Sequence, residues 1–225
     1  MKFFTRMRWC MSATWRWIKA TLQMLRGAWQ ISKLNLPIVT IFGGARFLQA
    51  DKYAVLANKL AAMFVEQNIS VITGGGSGIM EAANCGAVAQ ASKTGKGKSI
   101  GINVKGLEER NKCAQEYFEL NDFFARKYLM THFSMGFVVF PGGFGTLEEL
   151  GEILTLIQTK KMPHLPIVLI GVEYWSPFME WLNKEVITHG AISNQEIELF
   201  VLTDDLQRAL SLVCTTCRVG PDDPK

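Results

Sequence analysis

Two glycine-rich segments in this 225-residue chain have the composition needed to hold an anion. The first is Thr73-Gly74-Gly75-Gly76-Ser77-Gly78-Ile79-Met80-Glu81 and the second is Phe140-Pro141-Gly142-Gly143-Phe144-Gly145-Thr146-Leu147-Glu148-Glu149. Each follows an apolar run and opens a helical stretch. Glycines there let the backbone approach a phosphate closely, and the free amides at a helix start favour negative charge. The first segment lacks the GxGxxG spacing of a dinucleotide fingerprint, and no Gly-Lys-Ser/Thr follows to make a P-loop. The second offers the amides of Gly142 to Thr146 and the Thr146 hydroxyl. Without a ligand, either segment is a tight strand-to-helix turn.

Charged residues beside these turns extend the chemistry. Acids in a first helical turn complement the macrodipole by about 0.3–1 kcal/mol. That accounts for one of Glu148 and Glu149, but two carboxylates beside a phosphate site repel it. A carboxylate held there handles a proton, a hydroxyl or a developing cation. Arg126-Lys127 precede the second turn. They read either as an exposed basic pair or as positive charge for the anion site, with Arg able to grip it bidentately. His132, His164 and His189 are unclustered, and neither a metal site nor a cofactor is proposed.

The elements that must position these residues follow from periodicity. Apolar runs predict strands over 38–42, 70–73, 99–102, 117–120, 136–140, 166–170 and near 198–202. Amphipathic stretches predict helices over 52–67, 78–91, 122–133, 146–160, 175–188 and 204–217, and 103–115 reads as a charged loop. Continuously apolar strands alternating with helices predict an α/β fold, a doubly wound parallel sheet covered on both faces. Its ligands bind beyond the carboxyl ends of the strands, which brings both turns to one edge. We divide the chain into a basic, Trp-rich helical extension over 1–36, a nucleotide-binding catalytic domain over 37–217 and a tail over 218–225. In the extension Ile18, Leu22, Leu25 and Trp29 form a helical stripe. The stripe is expected to pack on the body or a partner subunit; contact with an anionic membrane is the lesser reading.

Charge is unevenly placed. Residues 1–50 hold eight bases and no acid, while the other 16 of the 24 bases face 20 acids. The net +4 therefore describes the extension, and a nucleic-acid partner is not expected for the mildly acidic body. Five scattered cysteines argue against a disulfide framework, and reduced cytoplasmic thiols are the expectation. Cys214-Thr-Thr-Cys217 is a lone CxxC with no second pair to complete a zinc site. No apolar stretch is long enough for a membrane span, and Arg16 and Lys19 interrupt any signal-peptide core.

Arg126-Lys127 followed by Pro141-Gly142-Gly143-Phe144-Gly145-Thr146-Leu147-Glu148-Glu149 resembles the RK…PGGxGTxxE signature of the Lonely Guy family, nucleoside 5′-monophosphate phosphoribohydrolases that activate cytokinins. Many relatives carry a lysine decarboxylase-like label. Gly74–Asn84 resembles the GGGPGIMEAAN segment of its bacterial long branch, and Ile38–Phe42 with Gly43-Gly44-Ala45-Arg46 resembles the opening FGSAR. The likeness covers about residues 37–212. It implies a Rossmann-like fold, a homodimer or a multiple of one, and hydrolysis of a nucleoside monophosphate such as AMP to free base and ribose 5-phosphate. It implies catalytic roles for Arg126 and Glu149. It assigns substrate contacts to Lys127, Gly142, Gly143, Phe144, Gly145, Thr146, Leu147, Glu148 and Thr155; Gly74, Gly75, Gly76, Glu81 and Asn84 join that set. Ser77 and Gly44 depart from the usual Pro and Ser. A non-catalytic nucleotide- or cofactor-binding protein of the same fold is the alternative.

Overall fold

The computed structural model describes the backbone of residues 2–34 and 37–219, and the side chains of 14–34 and 37–215. Seven strands, β1 (Ile38–Phe42), β2 (Ser70–Thr73), β3 (Ser99–Val104), β4 (Glu116–Leu120), β5 (Phe137–Val139), β6 (Ile167–Leu169) and β7 (Phe200–Leu202), form one sheet. The order is β4-β3-β2-β1-β5-β6-β7, and every pairing is parallel. The helices are α1 (Lys2–Ser32), α2 (Lys52–Glu66), α3 (Ile79–Thr94), α4 (Phe123–His132), α5 (Phe144–Gln158), α6 (Val172–Trp181) and α7 (Leu206–Val219). The tail expected over 218–225 lies outside the described residues from 220 onward.

Alternation along each strand feeds two cores. Ile38, Phe42, Phe137 and Val139 pack on one face with Leu129 of α4 and with Leu150 and Ile153 of α5. Val39, Ile41, Val138 and Phe140 pack on the other with Leu60 and Phe64 of α2 and Val213 of α7. Two helix starts are fixed by aspartates: Asp51 accepts from the Tyr53 amide and Asp122 from the Phe124 amide, the bond an N-cap residue supplies. The helix predicted over 175–188 begins three residues earlier and ends at Trp181, its remainder being one wide turn over Leu182–Ile187. A 3₁₀ turn, Asn194–Leu199, is an element that periodicity does not signal.

Chain order reverses between β1 and β5, which are hydrogen-bonded neighbours whose successors run to opposite sides of the sheet. Such a switch point opens a crevice at the strands' carboxyl ends. The loops after β1 and β5 begin there.

Two sequence expectations are corrected. α1 does not pack its apolar stripe on the body. Ala20 and Ile31 are buried, with Met24 and Ala28 half-buried beside them, while Ile18, Leu22, Leu25 and Trp29 are 45–61% exposed. The small residues let the helix approach closely; periodicity marks an apolar face without saying what covers it. The cysteines are not all reduced: Cys85 on α3 and Cys113 in the loop before β4 form a disulfide, with Cα atoms 4.7 Å apart. They stand 28 residues apart in sequence, and only the return through β3 brings them together. Cys214 is half-buried, and the Cys217 side chain lies outside the described residues.

Closing a 28-residue loop restricts the unfolded chain by about 3.6 kcal/mol in the chain-entropy view. Cys85→Ala/Cys113→Ala is expected to lower the unfolding free energy by up to that amount. Mass spectrometry after alkylation should count two more modified cysteines with reductant than without.

Candidate active site

The crevice between the loops after β1 and β5 is a cleft of about 710 Å³. Gly43 to Phe47 form one wall; Gly142 to Leu147 form the other, with Arg126 and Glu149 behind them. Met80, Leu107, Glu108, Phe123 and Tyr174 complete the lining.

The second glycine turn builds its wall from backbone. Gly143 caps α5 without a side-chain bond, and the first helical bond runs from the Leu147 amide to the Gly143 carbonyl. The amides of Phe144, Gly145 and Thr146 therefore have no acceptor within the helix. They point where a helix start favours an anion. The Tyr174 hydroxyl donates to the Gly142 carbonyl at 2.6 Å and holds the turn in place. Gly44 ties the two halves together: its amide donates to the Pro141 carbonyl and its carbonyl accepts from the Ile79 amide.

Arg126 is buried, only 9% exposed. Its Nε donates to the Ile102 carbonyl at 3.0 Å, and its guanidinium lies 3.4 Å from a Glu149 carboxylate oxygen. A Cβ on Gly74 would fall 2.2 Å from that guanidinium. The first glycine turn thus makes room for an arginine. Burial pushes the Glu149 carboxyl up to about 7 from its ordinary 4.5; Arg126 opposes the rise, and Glu148 and Glu152 add to it. The adjacent acids are thereby separated in role. Glu149 faces the cleft, whereas Glu148 holds Lys127 at 2.5 Å, with Glu152 at 3.3 Å from the same ammonium. The hydrogen bond that Lys127 donates to Glu148 raises the lysine above its usual range, against its partial burial.

The structure brings together Arg126, Glu149 and Gly142 to Leu147, and leaves other candidates elsewhere. Lys127 and Glu148 pair with each other and are not among the residues lining the cleft. The Thr155 hydroxyl bonds the Gly151 carbonyl within α5. Glu81 sits 3.5 Å from Gln49. Asn84 is fully buried beneath the first turn. It accepts from Thr73 and Asn111 and donates to Ser99 and the Ile100 carbonyl, so its side chain is consumed in holding the turn. The first turn also differs from the open anion site expected of it. Glu108 already occupies it, accepting from the Ser77 amide at 3.0 Å. A Cβ on Gly76 would fall 1.9 Å from that carboxylate.

Sequence reasoning missed Glu108, Phe123 and Leu107 as cleft residues. The only signal for Glu108 was the charge of the 103–115 loop. Tyr174, the brace of the Pro-Gly-Gly turn, likewise lies in the stretch that periodicity leaves outside any helix.

Residues 80–213 match the family described as "Possible lysine decarboxylase"; α1, β1 and most of the first glycine turn precede that segment. The cytokinin riboside 5′-monophosphate phosphoribohydrolase LOG3 of Arabidopsis thaliana is 33% identical over 168 residues, 72% of this chain and 75% of its own. The "Probable cytokinin riboside 5′-monophosphate phosphoribohydrolase LOGL5" of Oryza sativa subsp. japonica is 32% identical over 153 residues, 66% of this chain but only 60% of that relative's length. Among solved structures, the molybdenum cofactor carrier protein of Chlamydomonas reinhardtii superposes with a TM-score of 0.59 at 22% identity, over 81% of this chain and 99% of its own. The molybdenum cofactor binding protein of Rippkaea orientalis gives 0.56 at 17%, over 80% and 96%. At those identities the likeness is one of fold.

The raised Glu149 carboxyl carries a stability consequence. Its protonated form is favoured by folding, so the contribution is complete below about pH 4.5 and is lost as pH rises through about 7. Glu149→Gln lacks that loss. Relative to wild type it should gain up to about 3 kcal/mol between those pH values, read from urea unfolding at each. A constant difference would show that Glu149 ionises normally.

Proposed function

The chain belongs to the Lonely Guy family, and on that premise we propose that it hydrolyses the N-glycosidic bond of a nucleoside 5′-monophosphate such as AMP. The products are the free base and ribose 5-phosphate. The observation that carries the reading is the buried Arg126–Glu149 pair, at 3.4 Å, set behind a helix start whose amides suit a phosphate. The helical rise from Gly145 to Glu149 is about 6 Å, on the scale of the ribose that separates a 5′-phosphate from its anomeric carbon.

In this reading the phosphate lies on the amides of Phe144 to Thr146 and on the Thr146 hydroxyl. The bond from C1′ to the base nitrogen breaks with its electron pair leaving on the base, and C1′ passes through an oxocarbenium-like state. Glu149 as carboxylate stabilises that cation through the ribose hydroxyls, or orients the water whose oxygen then bonds C1′. Arg126 holds the phosphate or assists the departing base, which leaves with a proton. A pure binder needs the amides alone; the buried ion pair is the feature in excess of binding.

Incubation with AMP and chromatography for adenine tests the reading. Glu149→Gln and Arg126→Ala should each lower base release by about 100-fold or more. Because Glu149 acts ionised and its carboxyl sits near 7, wild-type kcat/KM should rise through about pH 7 to a plateau, and Glu149→Gln should lack that limb. Wild-type turnover in either variant rejects the assignment. AMP bound but intact would make the protein a nucleotide-binding or carrier protein of this fold.

A further inference from the structure

We propose that α1 docks the protein onto an anionic lipid surface, lying along it rather than crossing it. The helix spans 31 residues, about 46 Å, and has two opposed faces. Ala20, Gly27 and Ile31 are buried on the side facing the body, and a Cβ on Gly27 would meet Leu129 of α4 at 2.4 Å. At 100° per residue, Trp15, Ile18, Leu22, Leu25 and Trp29 fall on the opposite side. All five are exposed, by 45–61% of their surface, whereas Trp17 turns toward the body, its ring edge-on to Phe124 of α4. Their intervals of three and four residues make a continuous stripe, and in sequence Phe4, Met7 and Met11 continue the spacing backward.

A contiguous apolar stripe on the outside of a folded domain marks a contact surface. Charge identifies its occupant. The exposed Lys19, Arg26 and Lys33 run along one flank of the stripe, with Lys19 and Lys33 over the rings of Trp15 and Trp29. Residues 1–50 hold eight bases and no acid. A second copy laid along the stripe would bring the six bases of its own α1, and Lys33 just beyond, without a counter-charge, which opposes helix pairing. Anionic headgroups supply that counter-charge along the whole length, and tryptophan suits the boundary between headgroup and acyl chain. Among the described residues no helix is long and apolar enough to cross a membrane. The body, where 20 acids outnumber 16 bases, hangs from the far side of the helix. This inference is independent of the hydrolysis proposed above.

Flotation of the full chain with vesicles tests it. The protein should rise with vesicles of equal parts phosphatidylcholine and phosphatidylglycerol, not with phosphatidylcholine alone. High salt should weaken the binding. Lys19→Glu/Arg26→Glu/Lys33→Glu and Leu22→Glu/Leu25→Glu should each cut the bound fraction by more than about tenfold while keeping the wild-type unfolding midpoint, since all five positions are exposed. Failure to bind the mixed vesicles, equal binding to both kinds, or undiminished binding by the variants overturns the proposal. Light scattering supplies a further arm: an oligomer that dissociates in Leu22→Glu/Leu25→Glu, with vesicles left bare, makes the stripe a contact between copies instead.

Discussion

A guanidinium buried among a parallel sheet's loops must be partnered on every side, because an uncompensated charge there costs several kcal/mol. Arg126 meets that requirement by drawing on three separate segments. The Ile102 carbonyl within β3 takes its Nε, Glu149 on α5 faces its guanidinium, and the turn after β2 withholds a side chain at Gly74 to leave it space. Loops that share no sequence neighbourhood are thereby held in one arrangement by a single side chain. The same contact leaves Glu149 half-compensated: enough positive charge to keep the carboxylate accessible, and enough burial to keep it poised near neutrality.

The architecture was written plainly in the chain. Val39 and Ile41 alternate with Ile38 and Phe42 in a run with no polar face, which only a strand covered on both sides tolerates, and the structure packs each set into its own core. The second glycine turn was equally legible, since Pro-Gly-Gly after an apolar run leaves few alternatives to a strand ending against a helix start. Arg126 and Glu149 could be named, but their meeting could not be derived, because their contact depends on where α4 and the start of α5 lie in space.

What was illegible has physical causes. Asn84 looks like part of a ligand motif because a buried polar hub and a ligand contact draw on the same residue types; only the completed hydrogen bonds distinguish them. Glu108 lies in a segment whose composition says loop and nothing more, yet it fills the space that glycines open at the first turn. The stripe on α1 has the spacing of a core-facing helix, but alanine and glycine on the other side permit the closer approach and win the body.

Gly44, in one wall of the cleft, ties that wall to the other through its amide to Pro141, and to the start of α3 through its carbonyl to Ile79. The opening is consequently a caliper with its jaws pinned at one point. The gap is fixed before any ligand arrives, so little ordering cost is left to binding. In the proposed reading, this backbone link gauges a substrate for length ahead of any test of its chemical groups. A side chain at Gly44, which would press on Phe47 and the Gly142 backbone, would reset the gauge itself.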